Sequence, residues 1–179
     1  MAAVTAKNRL RILLDGLYFG GGVVAAGSLL IMLALIVAQM VARWTGFVLP
    51  GSTNYAGYAM AATSFFAMAY ALNKGAHIRV SLFLTHLGKW RRYGEIWCFG
   101  IASALGWYFV YFAYRAAYWS YKLNDISQGQ DATPLWIPQL PMAVGMTIFA
   151  IALSDNLLRV MLFGTDGIDA EVLDDGHTE

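Results

Sequence analysis

The chain has 179 residues, of which 59% are hydrophobic and only 13% charged, against roughly 45–50% and about 25% in soluble domains. So little charge excludes an ordinary soluble domain and offers no basic surface for nucleic acid, while the net charge of +1 is a near-cancellation of opposed local biases. The charges are also segregated: no Asp, Glu, Lys or Arg occurs in 16–42, 44–73, 96–114 or 132–154. Each gap meets or exceeds the roughly 18–20 residues a helix needs to cross about 30 Å of hydrocarbon, and in lipid every backbone group must be paired internally. These gaps predict an all-α membrane protein with four transmembrane helices at about 17–42, 55–73, 96–121 and 135–154. Amphipathic interfacial segments are expected over 1–16 and between the second and third spans, with an acidic tail over 164–179.

In the N-terminal arm, Lys7, Arg9 and Arg11 alternate with Leu10, Ile12, Leu13 and Leu14, a pattern that can lie along lipid headgroups. The arm also looks like the n-region of a signal peptide. The apolar run behind it is too long for an h-region and lacks a cleavage site, which favours retention as an anchor. The first span opens with Gly20, Gly21 and Gly22, and Gly22 with Ala26 makes a small-xxx-small pair that lets another helix approach closely. Generic tolerance of glycine in membrane helices explains the pair equally well. The span ends in Gln39-Met40-Val41-Ala42-Arg43-Trp44, an interfacial anchor with Arg43 and Trp44 at headgroup level.

Pro50-Gly51-Ser52 reads as a turn. The second span is rich in small residues, among them Gly57, Ala59, Ala61 and Ala62, as suits a helix packed among helices. Its end leads into Asn73-Lys74-Gly75-Ala76-His77-Ile78-Arg79-Val80. Beyond, Val80, Phe83, Leu84, Leu87 and Trp90 share one helical face, with Lys89, Arg91 and Arg92 off it. A basic amphipathic helix on the cytoplasmic surface is expected, able to bind anionic lipid or a partner subunit. Lys74, His77 and Arg79 can serve as topological charge, as a docking contact, or both.

In the third span Trp107, Tyr111, Tyr114, Tyr118 and Tyr121 follow the spacing 4, 3, 4, 3, the seven-residue repeat of a helix–helix seam. An interfacial aromatic belt accounts for its outer members as well. The following loop carries Asp125, Gln128, Gln130 and Asp131. Pro134, Pro138 and Pro141 then preclude a regular helix before Pro141, which can sit in the first turn of the fourth span.

Nine of the twelve Lys and Arg residues fall in the N-terminal arm, the 73–95 loop and the tail, so the positive-inside rule puts both termini in the cytoplasm. Transport chemistry needs polar groups at membrane depth. Here no ionisable side chain lies deep in any span; what the spans hold there is Ser28, Gln39, Thr63, Ser64, Ser103 and Thr147, fit for helix–helix hydrogen bonds. Nor are there paired half-helices broken by Gly or Pro, the usual pointer to a transporter site. His77, His86 and His177 all lie outside the spans, which suits neither a nucleophilic triad nor a haem held between facing helices. Cys98 stands alone, excluding an internal disulfide. No enzyme activity, cofactor or metal site is expected. A membrane anchor for a redox complex and a self-contained small channel are the alternatives from other classes.

Three patches resemble one family, the small membrane subunit of tripartite ATP-independent periplasmic (TRAP) transporters. They are Ala71 to Val80, with the Gly-Ala-His-Ile-Arg-Val run; Gln39 to Gly46 at the close of the first span; and Pro134 to Pro141 with Gly145 following. The resemblance covers about residues 10–163. Two departures stand out: Ser52-Thr53-Asn54 where members often carry acids, and Ser81 where many have Asp. The resemblance implies a bacterial inner-membrane subunit with no solute site of its own. Such a subunit scaffolds a large, elevator-type permease driven by sodium, to which a periplasmic binding protein delivers a solute, typically an organic acid.

Overall fold

The computed structural model describes residues 2–73 and 91–163. Four helices make up that part: α1 (Ala2–Thr45), α2 (Ser52–Asn73), α3 (Arg91–Lys122) and α4 (Trp136–Phe163). Outside them the described residues hold one isolated antiparallel bridge, Ile126 with Pro134. The expected basic amphipathic helix and the acidic tail lie outside the described residues.

Three helices are long and apolar enough to cross a membrane: Arg11–Thr45, Tyr93–Lys122 and Trp136–Leu162. The expected four spans are therefore three by this measure, and α2 is the one that falls short. Its 22 residues are enough in length. Ser52, Thr53, Asn54, Tyr55, Tyr58, Tyr70 and Asn73 dilute its apolar content.

The helices overrun the uncharged gaps. α1 passes unbroken through Arg11 and Asp15, and α3 begins ahead of Glu95. α4 continues to Arg159, whose Nη2 lies 2.6 Å from the Asp155 carboxylate one turn earlier. A charge marks where hydrocarbon ends, whereas a helix ends only where its hydrogen-bond ladder is broken or capped. The 44 residues of α1 therefore extend for about 66 Å, roughly twice the hydrocarbon thickness.

Pro141 corrects a second expectation. α4 begins at Trp136 and carries Pro141 inside it, so regular helix does precede that proline. Pro138 falls in the first turn, where a missing N–H costs nothing, and Pro141 removes a single ladder bond just beyond it.

Two helix ends are capped by left-handed residues. Gly46, with φ of 80°, closes α1, and the Phe47 amide returns 2.9 Å to the Ala42 carbonyl. Asn124, with φ of 51°, does the same for α3, where the Asp125 amide reaches the Ser120 carbonyl at 3.0 Å. These are Schellman closures, and Gly and Asn are the residues that tolerate them.

The helices alternate in direction, so the 46–51 and 122–135 loops share one end of the bundle. α1 packs along α2, α2 along α4, and α4 along α3, while α1 barely meets α4. The core draws on all four helices, through Tyr18, Phe66, Val110 and Phe149 among others. Ala69, Ala143 and Ala150 are fully buried within it. In lipid, apolar side chains gain little by leaving hydrocarbon for protein, so close packing and interhelical hydrogen bonds carry the association. Gly145 makes the tightest such approach: a Cβ built there would lie 2.9 Å from the Phe65 backbone of α2.

Candidate functional site

Among the described residues, hydrogen bonds cluster at the loop end. The Asn54 amide nitrogen donates to Asp131 Oδ1 at 2.7 Å, and the Ser127 hydroxyl donates to the same oxygen at 3.0 Å. The Tyr58 hydroxyl donates to Asp131 Oδ2 at 3.0 Å, and the Tyr55 hydroxyl lies 3.1 Å from Thr133 Oγ1. Backbone bonds close the loop on itself, Ser127 to Thr133 at 2.8 Å and Leu135 to Asp125 at 2.9 Å. Desolvation pushes the Asp131 carboxyl up, but hydrogen bonds from Thr133, Asn54 and Ser127 outweigh it and hold the group well below the usual carboxylate range. Gly51 lets the chain through: its φ is 77°, and a Cβ there would lie 2.8 Å from Asp131 Cβ. Sequence reading placed Asp131 in a loop and no further. The departure at 52–54 has a local counterpart, because Asn54 supplies a donor where an acid would face Asp131 across the same gap.

Along the α3–α4 seam, Ser154 is the hub. Its hydroxyl donates to the Ala150 carbonyl at 2.9 Å and receives Trp107 Nε1 at 3.0 Å, with Ser103 Oγ 2.9 Å away. Further toward the loops Thr147 Oγ1 lies 3.4 Å from the Tyr114 hydroxyl, and Tyr121 meets Trp136 edge-on at 5.7 Å between centroids. Trp107, Tyr111, Tyr114, Tyr118 and Tyr121 all remain exposed on the molecule's flank. Tyr114, Tyr118 and Tyr121 with Ala117, Trp136 and Leu140 line an open apolar groove of about 260 Å³.

The other neutral polar side chains divide. Gln39 reaches across to Thr53 at 3.1 Å, and Thr63 Oγ1 donates to Ala59 at 2.9 Å while lying 3.4 Å from the Ala25 carbonyl of α1. Ser28 and Ser64 bond only within their own helices, to Val24 and Met60.

The small-residue candidates on α1 and α2 are distributed unevenly. A Cβ on Gly22 would lie 3.0 Å from the Tyr70 ring, and one on Gly21 would lie 3.3 Å from the Phe66 carbonyl oxygen. Ala26 is exposed and Ala25 is buried in its place, so within this chain the α1–α2 contact runs through 21, 22 and 25. The cause is helical phase: 18, 21 and 25 share the inward stripe, and 26 is rotated off it. Gly57 has nothing within 4 Å, and Ala61 is half-buried.

Arg43 is exposed at the loop end of α1, beside Trp44. Arg91 and Arg92 open α3, where the backbone alone is described, and Lys74, His77, Arg79 and Lys89 lie outside the described residues. Among the described residues, no group of three or more His, Cys, Asp and Glu side chains is placed to hold a metal ion.

Residues 32–162 match a family described as tripartite ATP-independent periplasmic transporters, DctQ component. No curated protein and no solved structure matches the chain. The match takes in the end of α1, all of α2 and α3, and nearly all of α4, and so covers both the hydrogen-bonded loop and the aromatic seam. The chain belongs to the DctQ family: it is an inner-membrane component of a tripartite transporter, not a member of an enzyme family, and the other components are a large permease and a binding protein.

Proposed function

We propose that this chain is the non-catalytic small permease subunit that scaffolds the large membrane subunit of a sodium-driven, binding-protein-dependent importer of organic acids or similar small solutes. The observation that carries the reading is the aromatic seam on α3. Five aromatic side chains keep a seven-residue repeat on an exposed flank, although Trp107, Tyr114 and Tyr121 also meet α4 from the side. A repeat of that period matches a neighbouring helix; α4 meets one edge of it, and in this reading a scaffold helix of the large subunit covers the edge left open at Tyr111 and Tyr118. The uncharged centres of the spans fit a subunit that leaves solute and ion binding to another chain.

In this reading α2 is a fourth span shielded by α1 and α4, both termini are cytoplasmic, and residues 44–54 and 122–134 face the periplasm. There the hydrogen-bonded loop offers the binding protein a fixed surface for transient docking. Lys74, His77, Arg79, Lys89, Arg91 and Arg92 then form the cytoplasmic basic segment that meets lipid headgroups or the large subunit.

The test is uptake by vesicles reconstituted with the large subunit and binding protein, with and without this chain. Sodium-dependent uptake should require the chain, and full-rate uptake without it would sink the proposal. Recovery of the tagged chain with a roughly 12-span protein supports the assembly, whereas recovery with a soluble redox enzyme would contradict it.

A further inference from the structure

At the loop end of α1, Ile36, Gln39, Met40, Arg43 and Trp44 line a groove of about 180 Å³. Their spacing of i, i+3, i+4, i+7 and i+8 puts them on one face of a single helix. Ile36 and Met40 form an apolar floor running toward the middle of the span. The Arg43 guanidinium and the Trp44 indole stand at its mouth, the depth at which such residues meet headgroups. Gln39 is engaged elsewhere, donating to Thr53 Oγ1 at 3.1 Å.

The cations at this end of the molecule are not equivalent. Arg115 Nη1 donates to the Tyr111 hydroxyl at 3.3 Å, and Lys122 Nζ stands 5.2 Å from the Trp119 ring centroid. Arg43 has no carboxylate, ring or hydrogen-bond partner among the described residues. A guanidinium is a planar fork that matches a phosphate bidentately. Placed above an apolar strip, it calls for a ligand that is anionic at one end and aliphatic at the other.

We propose that this groove binds one phospholipid, its phosphodiester paired with Arg43 and one acyl chain lying along Ile36 and Met40. A small anion such as inorganic phosphate would satisfy the guanidinium and leave the apolar floor uncovered. A phospholipid covers both. The site goes beyond the transport reading and does not depend on it.

The test is native mass spectrometry of the full-length chain, purified with whatever accompanies it, delipidated and titrated with phosphatidylglycerol or phosphatidylethanolamine. One tightly held phospholipid is expected. Arg43→Ala should lower its affinity by about tenfold or more, the loss expected for one charge-assisted hydrogen bond. Met40→Trp, which fills the groove and leaves the cation in place, should lower it comparably, and Arg115→Ala should leave it unchanged. Equal lipid retention by Arg43→Ala would overturn the proposal. So would inorganic phosphate competing as well as the intact lipid, because the acyl chain would then contribute nothing. Loss of an accompanying membrane protein from Arg43→Ala with lipid retention unchanged would assign the groove to a protein partner instead.

Discussion

Asn54 and Asp131 meet at 2.7 Å across 77 residues of sequence, and that bond joins the start of α2 to the loop between α3 and α4. Because Asp131 is held below the usual carboxylate range, the contact is worth most when the group is ionised. Its stabilising effect is fully present above the unfolded-state value of about 4 and is lost as pH falls through the folded value. Thermal melts of the purified chain taken from pH 7 down to pH 3 should show the onset of this loss as pH falls below about 4, and Asp131→Asn should flatten the profile. Asn54→Asp should destabilise the loop at neutral pH by setting two carboxylates together. It should recover on acidification, when one of them can donate.

Gly145 and Gly57 should respond oppositely to an added side chain. Gly145→Val forces α4 away from the Phe65 backbone and should cost about 1–3 kcal/mol, the usual range for overpacking. Gly57→Ala adds a methyl where nothing lies within 4 Å and should stabilise by about 0.5–1 kcal/mol through the glycine entropy it removes. Melting in detergent under matched conditions separates the two.

Ser154 links Trp107 and Ser103 to α4. Membrane hydrogen bonds of this kind average about 0.6 kcal/mol and reach roughly 1.7. A Ser154→Ala and Trp107→Phe double-mutant cycle should return a coupling in that range, and a coupling of zero would mean the contact contributes packing alone.

Gly21→Leu should disrupt the α1–α2 contact more than Gly22→Leu. The first meets a backbone carbonyl at 3.3 Å and the second a tyrosine ring at 3.0 Å, and a partly exposed ring can swing aside where a helix backbone cannot. Cysteine crosslinking of Gln39→Cys to Thr53→Cys reads out the helix pairing in each variant.

The helices were legible because lipid allows one backbone solution and because charge reports where lipid is absent. The register of Trp107 to Tyr121 was legible for a related reason: they lie within one helix, so sequence spacing is spatial spacing. What could not be read was set by pairs far apart in the chain. Asp131 looks like any loop acid until Asn54 and Tyr58 arrive from α2. Gly145 looks like generic membrane glycine until Phe65 is beside it. Spacing alone pairs 22 with 26, fixing a relative face but not its absolute direction, and within this chain it is 25 that turns inward while 26 stays exposed. Regular helix precedes Pro141 because Pro138 takes a first-turn position that does not use the N–H proline lacks, and Pro141 forfeits a single ladder bond.

The loop lock also bears on how the protein is made. α1 and α2 are made well before residue 131 exists, so in the proposed four-span arrangement their hairpin would enter the bilayer with Asn54, Tyr55 and Tyr58 still lacking their partners. Its register is set at that stage by small-residue packing and by the Gln39–Thr53 and Thr63–Ala25 contacts. The second hairpin brings the carboxylate that fastens the two together, so synthesis halted ahead of Asp131 should yield a pair of helices inserted but not yet bolted.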